Sequence, residues 1–250
     1  MSQEFNDWIT CPVPNPAARF RLFCLPFAGG GASVFRTWAR ALFPTIEVCP
    51  VQLPGRENRL REPPYTEFLP LAETLAGQIK LYSEKPYAMY GHSMGALLAF
   101  ELARTLQRQN APLPLTLFLA AHRAAHLPPR RPPIHALPDK ELIQALRHLG
   151  GWQEEVTEDQ ELFDILLPTL RADLTLCDLY RYSSDTPLNC PFQLYAGRDD
   201  TDVPPEDMES WGEHSTQSSR LRIFPGGHFF LRSDSDALMQ AIASALARLG

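Results

Sequence analysis

The stretch from Tyr90 to Phe100, YGHSMGALLAF, constrains this chain more than any other. Gly91, Ser93 and Gly95 fit G-x-S-x-G, the pattern of a sharp strand-to-helix turn with a serine at its apex. The turn is tight enough that side chains at its edges would collide, so glycine flanks the serine on both sides. Pro86 to Tyr90 is a short apolar run suited to a buried parallel strand, and Ala96 to Arg108 carries Leu97, Leu98, Phe100, Leu102 and Leu106 without interior Gly or Pro, the mark of a helix with a broad buried face. A serine so placed sits at a helix N-terminus, whose partial positive charge favours a developing oxyanion. The pattern also arises by chance in glycine-rich turns. A catalytic reading therefore requires a base, an acid and an oxyanion hole elsewhere in the chain.

A chain of 250 residues, 44% apolar and 21% charged, is long enough for one large α/β domain with a sizeable core. The net charge of -6 and the absence of a Lys/Arg run argue against nucleic acid. No apolar run approaches a membrane span, and MSQEFNDWIT lacks the regions of a signal peptide, so a cytoplasmic chain is expected. Cys11, Cys24, Cys49, Cys177 and Cys190 form no close pairs. Disulfides and a cysteine metal site are not expected, and Cys24, Cys49 and Cys190 fall in or beside strand-like runs as small buried hydrophobes.

Along the chain, residues 1–19 read as a flexible lead-in or an edge segment. Phe20 to Phe27 is a strand, followed by Ala28-Gly29-Gly30-Gly31-Ala32-Ser33 and a helix from about Val34 to Leu42. The glycine loop lacks both phosphate-binding signatures and a nearby lysine. The preferred reading is a loop bringing backbone N–H close to the serine. Ile46 to Leu53 is a strand, Phe68 to Tyr82 a helix, and Leu115 to Ala121 a strand buried on both faces. From His122 to Asn189 the alternation breaks. PPRRPP (128–133) cannot be a central strand or a helix interior, and helical stretches follow at Asp139 to His148, Asp159 to Leu167 and Leu170 to Tyr182. Residues 122–189 are therefore expected to form a helical lid inserted within a single α/β domain spanning 1–250, although ordinary packing helices would give the same pattern. Cys190 to Ala196 and Arg220 to Phe224 complete the strands, and a helix from about Asp234 to Leu249 closes the chain. The fold class is α/β, a mostly parallel sheet flanked by helices.

Seven histidines compete to be the base. His92 lies in the turn itself, His122, His126, His135 and His148 in the insertion, and His214 in a polar surface stretch. Only His228 follows a sheet strand in a glycine-flanked turn, so it is the expected base. The acid should end the preceding strand, at Asp199, Asp200 or Asp202; strand–Gly–x–x–Asp selects Asp200, leaving Asp199 and Asp202 as turn or cap residues. The order Ser93, Asp200, His228 is that of α/β-hydrolases. Met94, just after the serine, and Ala28, in the glycine loop, are the expected backbone oxyanion donors.

LPFAGGGAS (25–33), PVQLPGRENRL (50–60), YGHSMGALLAFELAR (90–104), YAGRDD (195–200) and FPGGHFFL (224–231) together make the chain resemble the type II thioesterases that accompany nonribosomal peptide and polyketide synthases. The resemblance spans essentially the whole domain. It implies hydrolysis of acyl or aminoacyl thioesters from the phosphopantetheine arm of acyl and peptidyl carrier protein domains, with the same triad and oxyanion donors and a mobile lid. A monomer without a metal is expected, and no cofactor, because the arm belongs to the carrier substrate. Two departures stand out: Ala120-Ala121 where a hydroxylated or glycine pair is expected, and Phe27 where histidine is common. The rival readings are a hydrolase of free acyl-CoA or small esters, including fatty-acid chain-terminating thioesterases, and a catalytically silent scaffold, which an intact triad argues against.

Overall fold

The computed structural model describes residues 5–148, 150 and 160–249. Its strands are β1 (Phe20–Leu25), β2 (Ile46–Pro50), β3 (Tyr87–His92), β4 (Leu117–Ala120), β5 (Phe192–Gly197) and β6 (Ser219–Phe224). They form one six-stranded sheet in the order β2-β1-β3-β4-β5-β6, each neighbouring pair parallel. The helices are α1 (Trp38–Ala41), α2 (Phe68–Lys80), α3 (Met94–Arg108), α4 (Asp139–His148), α5 (Gln160–Leu179), α6 (Pro205–Glu209), α7 (Phe230–Ser233) and α8 (Ser235–Ala247).

Side chains alternate across a pleated strand, so a sheet covered on both faces needs apolar residues at successive positions. Phe23 and Leu25, Met89, Leu117 and Leu119, Phe192 and Leu194 point to the face packed by α2 and α3. Phe20, Leu22, Cys24, Tyr90 and Phe118 point to the opposite face, packed by α1, α7 and α8. Cys24, Cys49 and Cys190 are buried. The two sheet edges are treated differently. At β2 the N-terminal segment supplies an antiparallel bridge, Ile9 to Val51, flanked by Thr10 N–H to the Pro50 carbonyl at 2.9 Å and Gln52 N–H to the Trp8 carbonyl at 2.9 Å. This is the edge reading of residues 1–19 for the part described. At β6 Arg220, Arg222 and Ile223 are exposed, and the two arginines put charges on the strand that discourage pairing with another chain.

The expected elements appear with several changes. Instead of one helix over 34–42, a 3-10 turn (Ala32–Phe35) precedes the short α1, because Phe35 and Trp38 both turn inward, with ring centroids 5.2 Å apart, to pack on Tyr90. Two expected helices merge into α5, which runs through Pro168. Phe163 before the proline and Leu170 and Leu174 after it are all buried, and that packing outweighs the ~3 kcal/mol that an interior proline costs. Asp159, the expected start of the first of them, lies outside the described residues. The closing helix appears as expected, as α8 from Ser235, with the short α7 as an additional turn before it, and Gly250 also lies outside the described residues. Between β4 and β5 the described residues hold α4 and α5, whose Leu142, Leu146, Leu170 and Leu174 form a small core of their own with Ile134. Ala121 takes a left-handed φ of 52°, a conformation that glycine adopts without the Cβ penalty; this explains why the Ala120-Ala121 departure is a departure.

Candidate active site

The strand order reverses between β1 and β3, so the loops leaving these neighbours diverge and open a crevice at the carboxyl end of the sheet. The glycine loop leaves β1 there, and Ser93 leaves β3. Ser93 sits at φ 55°, ψ -119°, with its N–H donating to the Ala120 carbonyl at 2.8 Å. Such a backbone stores about 1–3 kcal/mol, held in place by its surroundings. Those surroundings explain the glycines. A Cβ on Gly91 would overlap the Gly95 carbonyl, and one on Gly95 would overlap the carbonyl of Leu25. The glycines thus let β1, β3 and α3 meet directly beneath the serine.

The structure brings Ser93, Asp200 and His228 together. His228 Nε2 lies 2.9 Å from Ser93 Oγ, and Nδ1 lies 2.8 Å from Asp200 Oδ2. An ionised carboxylate only accepts, so Nδ1 carries the proton and Nε2 is left to accept from the serine hydroxyl. Asp200 is itself held: its Oδ1 accepts the N–H groups of Asp202 and Val203, each at 3.0 Å. Asp199 and Asp202 are not brought to His228. Asp199 N–H donates to the Gly226 carbonyl at 2.9 Å, and the Asp202 carboxylate accepts from Arg131 at 3.3 Å.

His92 is fully buried, and its Nε2 donates to the His228 carbonyl at 2.8 Å while Nδ1 faces the Tyr90 hydroxyl at 3.2 Å. Burial, with the neighbouring His228 second, pushes its pKa well below the ordinary histidine value, so it holds the His228 backbone as a neutral donor. His122 is pushed down to about 4 by burial. His214, expected on a polar surface, is buried against Trp211 and Phe100, and its Nε2 is 2.7 Å from His126 Nδ1; burial and then His126 push it down to about 4. The polar residues around His214 in sequence do not reveal that the ring turns inward. His135 binds Asp178 at 3.0 Å, away from Ser93.

Met94 opens α3, and its N–H is among the helix donors that lack an intrahelical acceptor. In the glycine loop the N–H groups of Gly29, Gly30, Ala32 and Ser33 are taken, by Asp173 Oδ2 (2.7 Å), the Phe27 carbonyl (2.9 Å), Gln52 Oε1 (2.7 Å) and Glu57 Oε1 (3.2 Å) respectively. Ala28 lines the cavity with Ser93. Two residues of this loop's support were missed in the sequence. Arg56 forms a buried fork to Asp173 at 2.7 and 2.8 Å and also donates to the Gly30 carbonyl at 3.0 Å. Arg56 stands in the quoted QLPGR run, but nothing local says where its guanidinium goes, and Asp173 carries no signal at all.

Ser93 and His228 open into a cavity of about 700 Å³. Leu97 of α3, Leu146 of α4, and Leu170 and Leu174 of α5 give it apolar walls, so helices from between β4 and β5 enclose the space above the serine. Arg181 also borders it, and among the described residues its guanidinium is held by the carbonyls of Asp178 (3.2 Å) and Tyr180 (2.7 Å). A serine hydroxyl hydrogen-bonded to a histidine and opening into a roomy, largely apolar pocket is an arrangement that can carry acyl transfer from a substrate with an apolar acyl group.

Comparison with known proteins gives the same direction. The thioesterase domain family matches residues 20–246. The gramicidin S biosynthesis protein GrsT of Aneurinibacillus migulanus is 40% identical over 243 residues, 97% of this chain and 95% of its own length. The medium-chain S-acyl fatty acid synthase thioesterase of Homo sapiens is 32% identical, covering 88% of this chain and 84% of its own. Among solved structures, the type II thioesterase BorB from the borrelidin biosynthetic cluster superposes with a TM-score of 0.89 at 37% identity, covering 97% of this chain and 98% of BorB.

Proposed function

The chain belongs to the thioesterase domain family and is a thioester hydrolase, and from that premise we propose that it clears acyl and aminoacyl groups from the phosphopantetheine arms of acyl and peptidyl carrier domains in a nonribosomal peptide or polyketide synthase. The observation that carries the reading is the Asp200–His228–Ser93 relay opening directly into the apolar cavity. Similarity to GrsT and BorB, whose names place them in gramicidin S and borrelidin biosynthesis, supports the carrier-bound substrate over a free one. Arg181 beside the cavity matches the phosphodiester of such an arm.

In this mechanism His228 Nε2 takes the Ser93 proton as Oγ attacks the thioester carbonyl. The N–H groups of Ala28 and Met94 bind the oxyanion, and Asp200 holds the imidazolium that forms. Collapse breaks the C–S bond, and the Nε2 proton goes to the departing thiolate, which leaves as the free pantetheine thiol. Water, deprotonated by the same nitrogen, then attacks the acyl-serine carbonyl; the ester C–O bond breaks, Nε2 returns the proton to Ser93 Oγ, and the carboxylic acid leaves. No cofactor takes part. The α4 and α5 segment acts as the lid over the acyl group, and since every group of the site comes from one chain, a monomer suffices. A carrier partner of this kind places the protein in the cytoplasm.

The test compares one acyl group presented on a phosphopantetheinylated carrier domain and on coenzyme A. The carrier form should be turned over with kcat/KM higher by about tenfold or more, worth ~1.4 kcal/mol of recognition. Equal values would favour a hydrolase of free acyl-CoA.

A further inference from the structure

We infer that the buried Arg56–Asp173 pair is a positioning device for the oxyanion hole, and that through it the hole depends on the seating of helix α5. The inference rests on the proposed roles of Ser93 and Ala28. Orientation of the Ala28 N–H is set by its peptide plane, which it shares with the Phe27 carbonyl. That carbonyl accepts the Gly30 N–H at 2.9 Å, and the Gly30 carbonyl in turn accepts from Arg56 at 3.0 Å. On the other side of Ala28, the Gly29 N–H is held by Asp173 at 2.7 Å. Gly29 lies at φ +77°, a residue whose backbone turns freely unless something fixes it. The ion pair therefore holds the Ala28–Gly29 peptide directly, through Asp173, and the Phe27–Ala28 peptide indirectly, through the Gly30 residue that Arg56 anchors.

Both side chains are almost wholly buried. Buried ion pairs return little net stability against apolar residues of the same volume, so stability alone is a weak reason to place one here. The pair also joins distant parts of the chain, since Arg56 follows β2 and Asp173 sits on α5 between Leu170 and Leu174, both of which line the cavity. Leu170 also belongs to the small core against which Ala28 packs, and a Cβ added at Gly29 would meet its Cδ1 at 3.4 Å. A shift of α5 that opens the acyl cavity would carry Asp173 away from Gly29 and release the loop. Enclosing the acyl group and forming the oxyanion hole thus become one event.

The test uses the full chain with Asp173→Asn, Arg56→Lys and the double variant Arg56→Met/Asp173→Leu. Measured are kcat and KM on an acyl-pantetheine thioester, the affinity of an alkyl boronic acid that forms a tetrahedral adduct on Ser93, and the melting temperature. The single variants should lose about 10²-fold in kcat, the effect of removing one oxyanion donor, with KM within about threefold and a parallel loss of boronate affinity. The double variant leaves no unpaired buried charge, so it should recover the melting temperature while keeping the low kcat and weak boronate binding. Recovery of kcat and boronate affinity together with stability in the double variant would make the pair merely structural and overturn the inference. So would any folded variant with both values near wild type. Boronate binding does not depend on the preferred thioester, so a wrong substrate assignment leaves this test readable.

Discussion

Asp200→Asn separates a working relay from three residues that happen to be close. Asp200 Oδ1 accepts two backbone N–H groups, from Asp202 and Val203 at 3.0 Å each, while Oδ2 accepts the His228 Nδ1 proton at 2.8 Å. An asparagine must choose which side receives its NH₂. Turning it toward the loop would set a donor against two donors, losing two hydrogen bonds at roughly 1 kcal/mol each and adding repulsion. The amide oxygen therefore stays on the loop and the NH₂ faces His228. Nδ1 must then accept, the proton moves to Nε2, and the nitrogen 2.9 Å from Ser93 can no longer take the serine proton. The wrong tautomer should lower kcat/KM by about 10³–10⁴, or ~4–5.5 kcal/mol of transition-state stabilisation. The assay is steady-state hydrolysis of an acyl-pantetheine thioester by protein whose melting temperature stays near wild type. Activity within tenfold of wild type would refute the reasoning, since it would mean that His228 does not need Asp200 to hold its tautomer.

Three further expectations follow from the packing. Gly95→Ala drives a Cβ into the carbonyl of Leu25, where only backbone can yield, and should destabilise by about 2–3 kcal/mol; a melting temperature unchanged within a degree would contradict the close approach of β1 and α3. Gly77→Ala, within α2 and with nothing within 4 Å of the new methyl group, should instead stabilise by about 0.5–1 kcal/mol, seen as a higher urea midpoint. Burial holds His92 well below its ordinary pKa and His122 and His214 down to about 4, so below about pH 6.5 the unfolded chain binds protons that the folded chain refuses. Stability should be fully present above that pH and fall as pH drops toward 4, by up to ~1.4 kcal/mol per unit for each histidine; equal urea midpoints at pH 7.5 and 5 would contradict it.

The placement of Ser93, Asp200 and His228 was legible in the sequence because each stands just after a strand next to glycine, and the carboxyl ends of parallel strands lie along one edge of the sheet. The alternation of strands and helices was legible for the same reason, since buried parallel strands read as continuous apolar runs. Local signals failed where tertiary packing decided. Pro168 reads as a break between two helices, yet the buried face shared by Phe163, Leu170 and Leu174 carries α5 through it. His214 sits among polar residues and still turns inward to Phe100, Trp211 and His126. The Arg56–Asp173 pair was out of reach because its partners lie on separate loops and helices, and an isolated Asp in a helical stretch looks like any solvated one.

The most direct test of the central claim is release of an acyl group from a phosphopantetheinylated carrier domain, followed as free pantetheine thiol, with Ser93→Ala as control. The account predicts steady release by the wild-type chain and a loss of about 10³-fold or more in the variant. Release at the same rate by Ser93→Ala, or hydrolysis confined to simple esters with the carrier left acylated, would contradict it.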